Sequence, residues 1–326
     1  MHDAVLMDTR AGTVTIGSLE VPEPGPDDVL VRSRVVGLCR SDIELLHGHL
    51  DAQLPVLRPI VPGHEWCGEV VRAGERAAER FHPGDRVVGE CVLAPNHWFG
   101  FTYHGAASRE FLAPAGLLHR LPDELDDRQG ALVEPFTIAY AGIRRSGGTD
   151  GSDVVAVIGA GMIGLAALAV ARANGSTVVV VEPDERRRAL AERLGADVVL
   201  SPGPDLDDEL RARTASDGAS LVVEASGNAR GLAATFGLAR FGGRVTFIGI
   251  CAEKEVTVAL PLVQAKDLVL RGTTGSAGFW PDAIRFLLRH RIDLSPVVTA
   301  TFPMDQAGDA VAATGDPQQV KVQLSF

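Results

Sequence analysis

The rhythm of apolar and polar positions changes near Thr137. Before that point, short β-branched runs recur between prolines and glycines, at 14–16, 28–36, 66–72, 85–88 and 107–113, with Pro22, Pro24 and Pro26 punctuating the first of them. This spacing predicts an irregular antiparallel barrel or sandwich. Helix is predicted there only at 41–47 and near 126–133. Beyond Thr137, predicted strands at 153–158, 176–181, 197–200, 219–224, 243–249 and 267–272 alternate with helices, among them 184–194 and 228–241. The acidic patch at 205–209 reads as a solvated helix start. Such alternation implies right-handed crossovers and a parallel sheet. After a helix predicted at 279–290, the tail from Pro296 returns to short strands. The pattern therefore predicts an α/β chain in which a β-rich domain, residues 1–136 and 275–326, is interrupted by a doubly wound domain, residues 137–274. The expected place for chemistry is the cleft between them.

The stretch from Asp153 to Glu182 carries the clearest chemistry. Val154–Ala171 contains no charged side chain, which on hydropathy alone resembles a membrane span. It lacks a basic flank, and its glycines and β-branched residues suit a buried strand followed by a helix. Between the two lies Gly159-Ala160-Gly161-Met162-Ile163-Gly164. Gly159 permits a tight turn, Gly161 lets backbone N–H groups approach a pyrophosphate, and Gly164 allows close packing of helix on strand. Glu182 closes a second β-branched run about 20 residues beyond the glycines, where a carboxylate accepts hydrogen bonds from an adenine ribose. A 2′-phosphate there would meet like charge, so NAD(H) is expected over NADP(H). Arg187, with Arg186 beside it, either binds a phosphate or lies on a solvated helix face.

A chain of 326 residues, 46% of them hydrophobic, suits two domains with a large core. Its net charge of −11 argues against nucleic acid or an anionic membrane as partner. The first ten residues carry no secretory pattern. Four scattered cysteines, Cys39, Cys67, Cys91 and Cys251, point to a reducing compartment, the cytoplasm.

Three short motifs offer metal donors: Cys39 in VGLCRSD, His64 in VPGHEW and Glu134 in LVEP. Singly, such residues are more often structural. Together with a nucleotide fold they supply sulfur, nitrogen and oxygen to one zinc ion and leave a position open.

With these motifs, and with PGDRV at 83–87, EASG at 224–227 and VKVQL at 320–324, the chain resembles the zinc-dependent medium-chain alcohol and polyol dehydrogenase family over nearly its whole length. The resemblance implies a GroES-like catalytic domain with an inserted Rossmann domain. It makes Cys39 and His64 zinc ligands, Glu134 the third-ligand position in its polyol-type Glu-Pro form, and Glu65 a mobile acid that can also coordinate. Asp42 corresponds to the acid that orients the histidine. Ser41 occupies the hydroxyl proton-relay position. Glu44 stands where many relatives have a relay histidine, so Glu44, His47 or His49 completes the path. Arg40 and Lys321 match pyrophosphate-contacting positions; Gly249, Ile250 and Thr273 match strand ends lining the nicotinamide.

Family members often hold a second, structural zinc on four cysteines. Residues 89–111 contain one cysteine, Cys91, and two histidines, His97 and His104, at unsuitable spacing, so none is expected, and Cys91 reads as a buried thiol. The aromatic stretch Trp98, Phe99, Phe101 and Tyr103 is expected to line a pocket, form a subunit contact or build a small local core. A homodimer or homotetramer is expected, through an edge strand at 267–273. The implied activity is NAD(H)-linked interconversion of a secondary alcohol, on a polyol, cyclitol, aminocyclitol or amino alcohol, and its ketone. The alternatives are a zinc-free NADPH-dependent quinone or enoyl reductase on the same fold and a non-catalytic nucleotide sensor.

Overall fold

The computed structural model describes residues 2–50, 54–251, 253 and 255–326. The chain divides into one unit of residues 1–134 and 293–326 and another of residues 135–292.

In the first unit, β1 (His2–Asp8) and β2 (Thr13–Leu19) form an antiparallel ribbon. The long strand β3 (Asp28–Leu38) follows, rich in valine and buried at Val29, Val31, Val36 and Leu38. It runs into α1 (Arg40–Leu46). Next come β4 (Glu65–Ala73), β5 (Arg86–Gly89), the small hairpin β6 (Val92–Ala94) and β7 (His97–Trp98), then β8 (Glu110–Pro114) and β9 (Leu118–Arg120). The short helix α2 (Asp127–Gly130) is capped by Asp126, whose side chain accepts from Gln129 N.

Three of the four residues in the aromatic stretch are inside or half inside this unit. Phe99 and Phe101 are buried and Trp98 is half-buried, whereas Tyr103 is 56% exposed. Phe99 and Phe111 pack around Trp66, the Trp66–Phe111 rings meeting edge-on at 4.9 Å. For Phe99 and Phe101 the local-core alternative describes the arrangement.

The second unit takes up α3 (Val133–Arg145) from its third residue. The chain continues through β10 (Val154–Ile158), α4 (Met162–Ala173), β11 (Thr177–Val181), α5 (Glu185–Arg193), β12 (Val198–Leu200), α6 (Leu206–Thr214), β13 (Ala219–Glu224), α7 (Ala229–Leu238), β14 (Ala239–Phe247), α8 (Pro261–Ala265), β15 (Val269–Gly272) and α9 (Trp280–Arg289). All pairs in the six-stranded sheet are parallel, in the order β12-β11-β10-β13-β14-β15. That is the doubly wound order with its switch point between β10 and β13. The uncharged run Val154–Ala171 resolves into β10, the glycine turn and most of α4. Among the described residues no helix is long and apolar enough to cross a membrane.

Two expectations are corrected here. The helix predicted to reach residue 241 stops at Leu238, and β14 starts at Ala239 by pairing with Ala219. Lys266 Nζ donates to Phe236 O, Gly237 O and Ala239 O, satisfying carbonyls that the helix end leaves open. The second domain boundary falls after Ile292 rather than after Thr274. Trp280, Ala283, Ile284 and Leu287 on α9 are buried, Phe286 lies 5.2 Å from the Tyr140 ring, and Ser276 bonds Thr137 at 2.6 Å, all within this unit.

The chain then returns to the first unit with β16 (Val298–Pro303), α10 (Ala307–Gly315) and β17 (Lys321–Ser325). β17 pairs antiparallel with β3, giving the order β16-β17-β3-β4-β5-β9, with β8 also on β3. The helix α10 was not expected in the tail.

Gly164 tests the packing logic of the second unit. A Cβ there would lie 1.9 Å from Gly159 O. Gly164→Ala is expected to cost at least about 1–3 kcal/mol, the usual range for overpacking, and to weaken nucleotide binding because Gly159 must move. Denaturant melts and nucleotide titration check this; a change within about 0.5 kcal/mol, as for an ordinary surface substitution, contradicts it.

Candidate metal centre and nucleotide turn

Cys39 is the N-cap of α1, in extended conformation. Its backbone N–H donates to Asp42 Oδ2 at 2.8 Å, which is why an acid belongs three residues after the cysteine. The other oxygen, Asp42 Oδ1, faces His64 Nδ1 at 3.6 Å, slightly beyond hydrogen-bond range. Both atoms are buried without a hydrogen-bond partner. One wholly buried carboxylate thus holds the backbone of one donor and faces the ring of another, leaving the imidazole's Nε2 for a metal.

Glu65 opens β4 opposite Gly37 on β3. A Cβ on Gly37 would come within 2.5 Å of Glu65 Oε2, so the glycine makes room for the carboxylate. Donor atoms of Cys39, His64 and Glu65 all lie within 4.8 Å of one another. The Phe101 ring sits 4.9 Å from that of His64. Burial disfavours a charged imidazole, but Asp42 and Cys39 outweigh it and push the His64 pKa well above its ordinary value. A metal bound by His64 would have to displace that proton, since the imidazole ligates only when neutral. The S, N and O donor set and the paired orphan atoms fit zinc.

Glu134, expected as third ligand, lies beside this trio rather than in it. Its Oε1 is 3.5 Å from Cys91 Sγ, whose thiol donates to it. Burial raises the Glu134 pKa, and Glu65 adds to the rise against the pull of His64. Lys321, expected to meet a pyrophosphate, is instead buried. Its Nζ donates to Glu65 Oε1 at 2.8 Å, Glu65 Oε2 at 2.6 Å and Leu38 O at 3.0 Å. The physical reason is register: β17 beside β3 carries the ammonium under the carboxylate at the head of β4.

Ser41 and Glu44 are buried on α1. Glu44 accepts from Arg40 Nε at 2.9 Å and contacts His49 Nδ1. Burial pushes its pKa up, but His49 and Arg40 more than reverse this, and it lies below the usual carboxylate value. His47 and His49 are both exposed, and of the two, His49 is the one hydrogen-bonded to Glu44.

In the second unit the nucleotide candidates gather at the carboxyl ends of the parallel strands. Gly159 has φ +94°, and a Cβ on it would strike Ser226. Gly161 caps α4, and a Cβ there would meet nothing within 4 Å, which is open space at a helix N-terminus. Met162 is buried and Ile163 half-buried. Glu182 is buried; its Oε2 accepts from Ala160 N at 2.7 Å and its Oε1 from Asp184 N at 3.0 Å. Arg187 lies half-buried in the first turn of α5, its backbone N–H bonded to Asp184. Gly249 and Ile250 follow β14 and Thr273 follows β15. Gly249 N donates to Glu224 O, and Thr273 N to Phe247 O. Ile250 is 59% exposed. Arg40 and Lys321 belong to the first unit.

Residues 25–123 match the family described as alcohol dehydrogenase GroES-like domain, and residues 163–289 match that described as zinc-binding dehydrogenase. Sorbitol dehydrogenase of Gallus gallus is 32% identical over 97% of this chain and 94% of its own. The chain belongs to the zinc-dependent medium-chain alcohol and polyol dehydrogenase family. It is an oxidoreductase acting on CH–OH groups, with a GroES-like and a Rossmann-type domain. The crystal structure of 2R,3R-butanediol dehydrogenase from Bacillus subtilis superimposes with a TM-score of 0.89 at 27% identity, covering 100% of both chains. So does a structure described as a zinc-binding dehydrogenase from Sinorhizobium meliloti 1021 bound to NADP, at 0.89 and 28%, covering 100% of this chain and 99% of that one.

Residue reasoning missed two partners: Cys91 for Glu134 and Lys321 for Glu65. The second pair is separated by 256 positions, and no local pattern signals it. Lys321→Met removes the ammonium and leaves a buried carboxylate; we expect a loss of about 3–5 kcal/mol in metal-free protein. Adding Glu65→Gln is expected to return most of it. A double-mutant cycle by urea unfolding measures the coupling, and additive effects would show that the pair is not energetically linked.

Proposed function

We propose that this protein is a zinc-dependent, NAD(H)-linked dehydrogenase that interconverts a secondary alcohol, on a polyol, cyclitol, aminocyclitol or amino alcohol, with its ketone. The observation that carries the proposal is the convergence of Cys39, His64 and Glu65 donors within 4.8 Å. Cys39, His64 and Glu65 would hold the ion, with Glu134 a neighbouring carboxylate able to join or exchange. When bound, zinc supplies a Lewis acid that eases loss of the hydroxyl proton, and the nicotinamide supplies the hydride acceptor. Ser41 would relay that proton, its hydroxyl accepting one as it gives up its own, and Glu44 with exposed His49 would carry it toward solvent. Asp42 keeps the His64 ring oriented throughout.

For the nucleotide, Gly161 and the start of α4 face the pyrophosphate, with Met162 and Ile163 in that first turn. Glu182 takes the ribose hydroxyls and disfavours a 2′-phosphate. Arg187 stands near enough in sequence to temper that choice. Gly249, Ile250 and Thr273 line the nicotinamide. The polyol class follows the sorbitol dehydrogenase relatives and the Glu134-Pro135 motif. Four free thiols suit the cytoplasm. A homodimer or homotetramer would form at β15, which ends the sheet order and exposes Val269 at 62% and Leu270 at 38%.

Elemental analysis together with an NAD-coupled screen of polyols and aminocyclitols tests the reading directly. Cys39→Ala and His64→Ala are each expected to lose zinc and at least about 100-fold in kcat/KM, on the scale of lost electrostatic stabilisation, while still binding NAD; turnover in a metal-free variant sinks the mechanism. Glu182→Ala is expected to shift the NAD/NADP preference toward NADP, read as the ratio of kcat/KM values. An unchanged ratio counts against the assignment of Glu182.

A further inference from the structure

Cys91 is buried at 6% exposure in the segment between β5 and β6. Its carbonyl accepts from Phe99 N at 2.8 Å, so the aromatic core of the hairpin fixes the backbone at this point. Its side chain donates to Glu134 Oε1, in the first turn of α3. Against a carboxylate acceptor the thiol is the partner that supplies the hydrogen, so the sulfur serves here as a donor. A buried carboxylate with one oxygen held by an S–H has fewer orientations open to its other oxygen.

We propose that Cys91 is a positioning residue: its thiol, hydrogen-bonded to Glu134, sets how that carboxylate sits beside Cys39, His64 and Glu65, and so sets the pocket's affinity for zinc. The affinity half of this proposal rests on the zinc reading above; the contact itself does not.

Two measurements separate them. In the first, zinc retention by the purified enzyme is followed against chelators of graded strength. Cys91→Ala is expected to lose about 10–100-fold in affinity, the usual cost of removing an outer-sphere partner, and Cys91→Ser, which keeps a donor, to recover most of it. Equal retention by Cys91→Ala and the parent, at matched thermal stability, overturns the proposal, as does a loss of equal size in Cys91→Ser. In the second, the S–H stretching band of Cys91, assigned by its absence in Cys91→Ser, is recorded in the infrared. Glu134→Gln substitutes a weaker, uncharged acceptor and is expected to move the band to higher frequency; an unmoved band overturns the contact. A parent protein that holds no zinc overturns the function proposed above and the affinity half here, while the infrared band still decides whether Cys91 holds Glu134.

Discussion

Asp42, His64, Glu65, Glu134 and Lys321 are each no more than 6% exposed, and a buried group of this kind persists only if its charges are answered. Three acids stand against one permanent cation. Asp42 is answered by the Cys39 backbone N–H and the His64 ring, and Glu65 by Lys321. The rest of the first unit serves that balance. Gly37 clears space for Glu65, β17 pairs with β3 to deliver Lys321, and Phe101 covers the imidazole. Asp42 and Cys39, against the effect of burial, raise the His64 pKa, and a divalent cation is the natural complement of an S, N and O donor set.

The second unit obeys a different constraint. Its central strands β10, β11 and β13 are valine-rich and buried on both faces, so polar groups collect where the strands end. Gly159, Glu182, Glu224 and Thr273 stand at or just past those ends, and turn geometry there is set by backbone clearance. A side chain on Gly159 or Gly249 would strike the backbone near Ser226 and Gly227.

Much of this was legible in the sequence because the signals are local. The strand periodicity of 153–158 and 219–224, the glycine turn and the Cys39–Asp42 spacing each act within one element or one turn. What stayed hidden depends on packing across the chain. Lys266 ends α7 from a distant segment, and α9 packs on Tyr140 and moves the boundary between units. Helix α10 escaped notice because its buried stripe is Ala307, Ala310 and Val311, too small in volume to stand out as amphipathic. Lys321 read as a phosphate contact because its motif says nothing of the register that buries it.

Glu182 is held before any further donor reaches it. Its Oε2 closes the glycine turn through Ala160 N–H and its Oε1 receives Asp184 N–H. Each carboxylate oxygen can accept a second hydrogen bond, so a hydroxyl arriving at this acid would add to these contacts without breaking them. The side chain therefore has little rotamer freedom left to lose, which a solvent-exposed acid at the same strand end would still have to surrender.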